Sequence, residues 1–280
     1  MSSFIDDELG IELTESDTPA VRSATRPTLR PMARPTMSDV ISNGIDDGSV
    51  YIAFQPIVDF QLHQVFGYEA LVRSTLEGLT SPLELIGAAC GDGSMGKVGR
   101  MLRRLAVDGC PDFVLFLNLH PAEFAQPWLV RPDDAMVEHD HDIYLEVTES
   151  VPLSHYEHCH SVLKEIRSRG VRIAIDDLGA GYSNLKYIID LDPDIVKLDR
   201  ELIKEIRRDS RQHRLVTSLV EMCTCLGAEV VAEGIETHDE LIAVIDTGAR
   251  FGQGYFLGRP NPVLSGFNWK RLISGRIGSL

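Results

Sequence analysis

From Ser38 onward the chain alternates between short apolar runs that end in polar residues and longer stretches with apolar positions three and four apart. The runs are YIAFQPIV (51–58), VFGYEALVR (65–73), FVLFLNL (113–119), IYLEVTE (143–149), VRIAIDD (171–177), DIVKLD (194–199), EVVAEG (229–234) and RFGQGYF (250–256). Several are apolar at consecutive positions, as strands covered on both faces must be. The stretches between them, such as HCHSVLKEIRSRG and RLVTSLVEMCTCLG, read as amphipathic helices. Eight strands separated by helices predict an α/β fold, a (β/α)8 TIM-like barrel, which typically takes about 250 residues. A doubly wound open sheet is the fallback, but no Gly-rich phosphate loop recommends it.

Residues 1–37 break the pattern. An acidic start, MSSFIDDELGIELTESD, gives way to TRPTLRPMARPT, where Pro27, Pro31 and Pro35 follow Arg26, Arg30 and Arg34. Proline removes a backbone donor and pushes its neighbour out of helix, and the segment has little apolar surface to bury. A flexible Arg/Pro-rich tail is expected ahead of a barrel at 38–280, with a docking arm as the functional alternative. The start lacks the apolar core of a secretory signal, and no run approaches the roughly 18 residues of a membrane span. Five cysteines, an odd number, are scattered through 280 residues. They read as reduced thiols in a cytoplasmic protein, and Cys223-x-Cys225 lacks the pair-plus-pair spacing of a metal site. A net charge of −15 argues against binding polymeric nucleic acid. It does not exclude an anionic substrate, because carboxylates gathered around cations make a locally positive site.

The candidate chemistry lies where polar residues interrupt the strands. Glu69 sits in YEALVR, Asn118 ends FVLFLN, Glu146 is in YLEVTE, and Asp176 and Asp177 end RIAIDD. Lys197 is in DIVKLD, Glu233 in VVAEG and Gln253 in FGQGYF. From Asn118 onward these positions recur 20 to 36 residues apart, which suits one site residue per β/α unit at the C-terminal mouth of a barrel. Buried carboxylates repel one another and need compensating charge, so their convergence calls for cations. Oxygen ligands select Mg2+, Mn2+ or Ca2+, and the lack of a strand-end histidine argues against zinc. Of two adjacent aspartates, one can bridge two ions while the other serves one. The strand period puts Glu69 and Arg73 on one face, the first to hold metal and the second to reach a phosphate or a guanine edge. Lys197 and Asp199 share a face in the same way, and a lysine beside cations could orient a water or take its proton.

Each feature alone has an ordinary reading. E-x-x-x-R is commonly a surface ion pair, Asn118 a strand end, D-D a turn or cap, and Lys197 a snorkelling edge residue. Together they would need a separate excuse at every strand end. His139 and His141, and His155, His158 and His160, read as solvated surface rather than a second metal site.

Taken as a set, FQPIVD, EALVR, NLHP, LEVTES, IDDLGAGYSNL, IVKLD, AEGIE and GQGYFLGRP resemble, in order and approximate spacing, the EAL-domain cyclic di-GMP phosphodiesterases over about residues 45–262. No single motif is specific; the set is. The resemblance implies a barrel whose first strand runs antiparallel to the rest. It also implies two divalent cations, Mg2+ or Mn2+, and hydrolysis of cyclic di-GMP to linear pGpG. Matched by position, Glu69, Asn118, Glu146 and Asp176 would ligate one metal. Asp176 and Asp177 would bind the other, with Glu233 in support. Lys197 and Gln253 would position the attacking water, Gln55, Leu71, Arg73 and Glu236 would contact the dinucleotide, and Glu149 would steady the loop after strand five. A homodimer is implied as well, and regulation is left to the tail, to dimerisation or to a protein partner. Two residues depart from the family pattern: Leu178 replaces a phenylalanine, and Asn184 a common serine. Both fall in the loop that the family uses to couple dimerisation to metal binding, so they bear on rate rather than ligation. The alternative reading is a weak or inactive EAL domain serving as a cyclic di-GMP receptor. A carboxylate-rich lyase or glycosidase fits less well, since a glycosidase needs two opposed carboxyls and no metal cluster.

Overall fold

Eight strands close into one barrel in chain order. They are β1 (Val50–Asp59), β2 (Gln64–Ser74), β3 (Val114–Leu119), β4 (Ile143–Thr148), β5 (Arg172–Leu178), β6 (Ile195–Leu198), β7 (Glu229–Ala232) and β8 (Phe251–Gly252). In this computed structural model residues 35–126, 129–148, 156–180, 185–264 and 267–273 are described. The Arg/Pro-rich segment through Arg34, together with Glu149, His155 and Asn184, lies outside them. β1 is antiparallel to both β2 and β8, and every other pair is parallel, as the resemblance implied. A short turn suffices for the antiparallel step: Asp59 Oδ1 accepts from the amides of Gln61 and Leu62, each at 2.8 Å.

Helices supply the parallel crossovers. α1 (Met37–Asp46) precedes the barrel and starts on the last residue assigned to the tail, and α2 (Pro82–Gly91) and α3 (Met95–Gly109) link β2 to β3. α4 (Ala135–Glu138) lies between β3 and β4, α5 (Tyr156–Arg167) follows β4, and α6 (Lys186–Leu191) follows β5. α7 (Arg200–Ile203) and α8 (Arg211–Cys225) follow β6, α9 (His238–Asp246) follows β7, and α10 (Trp269–Ile273) ends the described chain. Thr36, Ser81 and Thr237 each close a capping box with an acidic residue three positions on, which fixes where α1, α2 and α9 begin.

The strand period sorts side chains into two cores. Leu115, Leu117, Leu145, Val147, Ile173, Ile175, Val196, Leu198 and Val230 point outward into the layer beneath the helices. Phe116, Tyr144, Ala174, Ile195, Val231 and Phe251 belong to a separate cluster that fills the barrel interior with Ile57. Phe116 and Tyr144 stack there at 4.6 Å, and Phe66 stacks on Phe251 at 4.3 Å. Two residues further along the same strands come Asn118, Glu146, Asp176, Lys197, Glu233 and Gln253. The site is therefore the next inward layer above an aromatic plug.

β8 is much shorter than the run 250–256 suggested. After Gln253, whose amide still donates to Ala232 O, the chain leaves the ladder for a turn in which Leu257 and Gly258 donate to Gly254 O.

Candidate active site

The Lys197 ammonium occupies the middle of the mouth. It lies 2.6 Å from Glu146 Oε1, 2.7 Å from Glu233 Oε1, 3.1 Å from Asp176 Oδ1 and 3.3 Å from Glu69 Oε2. The chain thus places one cation of its own among four carboxylates, a contribution that the sequence reading, which looked only to external cations, did not foresee. Glu69 is held further by Gln253 Nε2, donating to Oε2 at 2.6 Å, and by Asn118 Nδ2, donating to Oε1 at 3.1 Å.

A single charge leaves the cluster under-compensated. Both oxygens of Glu146, with Asp176 Oδ1 and Gln253 Oε1, are buried and receive no hydrogen bond. Lys197 is close enough to Glu146 and Asp176 for ion pairing but not at a hydrogen-bonding angle, so proximity there does not amount to satisfaction. Burial pushes the Glu146 carboxyl well above its ordinary value, and the neighbouring Glu69 charge adds to it. Burial likewise pushes Glu233 up to about 8, against the opposing pull of Lys197. Asp177 rises to about 6 through burial and the adjacent Asp176. Glu69 goes the other way: burial would raise it, but Lys197 and the bonds from Gln253 and Asn118 outweigh that and hold it low. Lys197 is held well above its ordinary value, because four carboxylates outweigh its own desolvation.

Adjacent strand residues normally face opposite ways, so Asp176 and Asp177 need a device to share a site. A register shift in the β5–β6 pairing between Ile175 and Leu178 provides it, with Asp177 in the left-handed region at φ 59°. Asp176, Asp177 and Glu233 thereby bring one carboxylate oxygen each within 4.8 Å of one another. Among the described residues this is the one such group of three or more acidic, histidine or cysteine side chains. Unpaired anionic oxygens in an all-oxygen donor set fit a hard divalent cation.

A cavity of about 300 Å³ opens onto this layer. Its wall includes Gln55, Glu69, Leu71, Asp176, Asp177, Lys197, Glu233, Glu236 and Gln253, all anticipated from sequence. Asn118, Glu146 and Arg73 are not on it. Glu146 is fully buried beneath Lys197, and the Arg73 guanidinium donates to the Val72 carbonyl at 2.9 Å. Asp199 caps α7 through the Glu201 amide at 2.8 Å instead of joining Lys197. A histidine does follow a strand directly, but the His120 ring caps the turn after β3 through the Ala122 amide and faces Cys90 Sγ at 3.6 Å. His139 bonds the Phe113 carbonyl at 2.8 Å and lies 5.8 Å from the His141 ring, with no third ligand gathered there among the described residues.

The wall also contains Arg200, Gly234, Gly254 and Tyr255, which the sequence reading passed over. Arg200 is one residue beyond IVKLD, where an arginine carries no pattern of its own. The glycines were visible inside AEG and GQG. A Cβ at Gly234, where φ is 71°, would fall 2.6 Å from Arg200 Cβ. A Cβ at Gly254 would fall 2.2 Å from the carbonyl oxygen of Ile235. Both motifs are therefore close backbone approaches as well as carriers of Glu233 and Gln253.

A closed eight-strand barrel with one reversed strand and a carboxylate layer fit for divalent cations at its mouth defines a class of metal-competent TIM-like barrels. The EAL domain family profile matches residues 38–260, and the chain belongs to that family. A probable cyclic di-GMP phosphodiesterase of Escherichia coli, PdeI, is 28% identical over 79% of this chain and 30% of its own length. The bifunctional diguanylate cyclase/cyclic di-GMP phosphodiesterase MucR of Pseudomonas aeruginosa is 30% identical, with 79% of this chain and 34% of that protein covered. The chain thus spans about a third of these curated relatives. Among solved structures, a manganese and cyclic di-GMP complex of Klebsiella pneumoniae BlrP1 superimposes with a TM-score of 0.67 at 30% identity, covering 76% of this chain and 56% of that one. A MucR phosphodiesterase complex with cyclic di-GMP gives 0.67 at 30% identity, covering 76% and 97%.

No helix among the described residues is long and apolar enough to cross a membrane.

Proposed function

We propose that this chain hydrolyses cyclic di-GMP to linear pGpG with the help of two divalent cations, Mg2+ or Mn2+. The observation that carries this reading is the set of buried, unpaired carboxylate oxygens beside a cavity at the barrel mouth. Glu69, Asn118, Glu146 and Asp176 would hold one ion, and Asp176, Asp177 and Glu233 the other. When bound, the cations supply positive charge to the phosphoryl oxygens and acidify water.

The chain's own residues do the rest. Gln253 Oε1 is buried and accepts no hydrogen bond, so it is free to orient a water while its amide nitrogen stays on Glu69. Lys197, a donor fixed at the centre of the layer, holds the carboxylates in register and would position the same water. Gln55 is anchored by its Nε2 to the Gly258 carbonyl at 3.2 Å and, with Leu71 and Glu236, offers polar and apolar contacts for a guanine. Arg73, bound to its own strand, would have to turn to reach the ligand; Glu149 is outside the described residues. Attack by water on one phosphorus expels the 3′ oxygen and leaves the new oxygen on a 5′-terminal phosphate. Five unpaired cysteines suit a cytoplasmic, reducing setting. A homodimer and a regulatory protein partner belong to the proposal through the resemblance.

The test is product analysis in 18O-labelled water. One 18O in the terminal phosphate of pGpG is expected. Cyclic di-GMP bound tightly but recovered intact would replace the hydrolase with the receptor reading.

A further inference from the structure

Building on the cyclic di-GMP reading above, we propose that Arg200 is a specificity residue that receives the second, non-scissile phosphate of the cyclic dinucleotide. Two cations line the cavity among its described residues, Lys197 and Arg200, against five carboxylates. Lys197 is 1% exposed and already in contact with three of those carboxylates and with the buried Glu146, so it has no charge to spare for a second phosphate. Arg200 is 49% exposed, with Nη2 2.9 Å from Glu236 Oε1 on the rim.

A cyclic dinucleotide carries two phosphodiesters, each with one negative charge. A carboxylate layer that gathers cations can serve only the phosphate seated on it. The other phosphate must lie against the rim, where the remaining groups include a carboxylate that would repel it. An exposed guanidinium presents a fork of donors matched to phosphate oxygens, and its present partner is a solvent-exposed carboxylate, a weak competitor. Arg259 sits over the Tyr255 ring at 4.2 Å and the Arg73 guanidinium is turned to the Val72 carbonyl; neither is part of the wall.

The surroundings hold Arg200 in place. Its aliphatic stem lies over Gly234 with no room for a methyl group between them. Its partner Glu236 belongs to a loop pinned from below by Glu240. That buried carboxylate accepts from the amides of Glu236 and Thr237 at 2.9 Å and from Glu205, in the chain after α7, at 2.8 Å. One side chain thus ties the loop that carries Glu236 to the chain that follows the short helix opened by Arg200.

The experiment compares wild type, Arg200→Met, which keeps the stem over Gly234, and Arg200→Lys, which keeps the charge. Each is assayed with Mn2+ on cyclic di-GMP and on bis(p-nitrophenyl) phosphate, a diester with one phosphate. Arg200→Met is expected to lower kcat/KM for cyclic di-GMP about tenfold or more, the scale of a charge-assisted hydrogen bond, with less than a twofold change on the single-phosphate diester. Arg200→Lys should fall between the two. Equal losses on both compounds, no loss on either, or a lysine variant no better than methionine would overturn the assignment while leaving the hydrolase intact. If wild type turned over neither compound, the hydrolase reading would fail. Arg200 would then be judged by the dissociation constant of cyclic di-GMP in the same variants, where the same order is expected and its absence would reject the proposal.

Discussion

Lys197 Nζ and Glu146 Oε1 meet 2.6 Å apart at the floor of the barrel mouth, both fully buried. Glu146 has no hydrogen bond to either oxygen, so this contact is its main compensation in the metal-free chain. Lys197→Met keeps the bulk and deletes the charge. Removing one partner of a buried ion pair costs about 3–5 kcal/mol, and that loss should appear in urea unfolding in EDTA. Part of it should return when Mn2+ is added, since cations replace the missing charge. Turnover should fall by about 100-fold or more if Lys197 also positions the water.

The acidic layer predicts a defined pH response. Asp177 and Glu233 titrate near 6 and 8 in the fold, above their ordinary values of 3.8 and 4.5, because burial disfavours their charged forms. The folded chain binds these protons more tightly than the unfolded chain does. Their stabilising effect is therefore complete below about pH 4 and is lost as pH rises through 6 to 8. Lys197 stays charged throughout that window and does not offset the trend. Metal-free protein should lose stability from pH 5 to pH 8.5, and Mn2+ affinity should rise over the same range with release of protons. Calorimetry in buffers of different ionisation enthalpy measures both the affinity and the proton count.

Asp177 is a ligand candidate in an unusual backbone state. Asparagine tolerates φ near 59°, whereas a β-branched residue does not. Asp177→Asn should be no less stable than wild type in EDTA at neutral pH, since it removes a buried charge, yet weaken Mn2+ binding about tenfold or more. Asp177→Val should lose metal binding and also about 1–2 kcal/mol from the strained backbone. Thermal unfolding in EDTA beside a Mn2+ titration separates the two effects.

Gly254→Ala should be costly without touching any charged group. The new methyl would have to displace the Ile235 backbone, whose nitrogen and carbonyl oxygen lie 2.3 Å and 2.2 Å from its position. About 1–3 kcal/mol or more of destabilisation is expected, together with reduced turnover, because Ile235 adjoins Gly234 and Glu236 on the rim. Unchanged urea midpoint and kcat/KM would contradict the close packing.

Much of this was legible in the chain itself. Period-two alternation in FVLFLNL, IYLEVT and IVKL separates outward aliphatics from inward residues, and the polar member of each inward series marks the mouth. The direction of β1 was legible only through the resemblance, because YIAFQPIV is apolar in either orientation. Two arrangements in the site lay beyond the strand pattern. The D-D pair pointed to Asp177, yet alternation alone sends it away from the mouth, and the bulge between Ile175 and Leu178 brings it back. The seat of Lys197 among four carboxylates depends on barrel closure, which sets β6 across from β2. Arg73 illustrates the converse: the strand period put it on the face of Glu69, but its guanidinium turns to the neighbouring backbone.

A time course of cyclic di-GMP with purified protein in EDTA, and again after Mg2+ or Mn2+ is restored, beside Glu69→Ala, decides whether the carboxylate layer is a metal-dependent hydrolase. Glu69 is bonded to Asn118, Lys197 and Gln253 at once, so its loss should unlink the layer. No product in EDTA, pGpG once metal is restored, and at least a 100-fold slower rate for the variant are expected. Product formation that persists in EDTA, or a Glu69→Ala protein as fast as wild type, would contradict that reading.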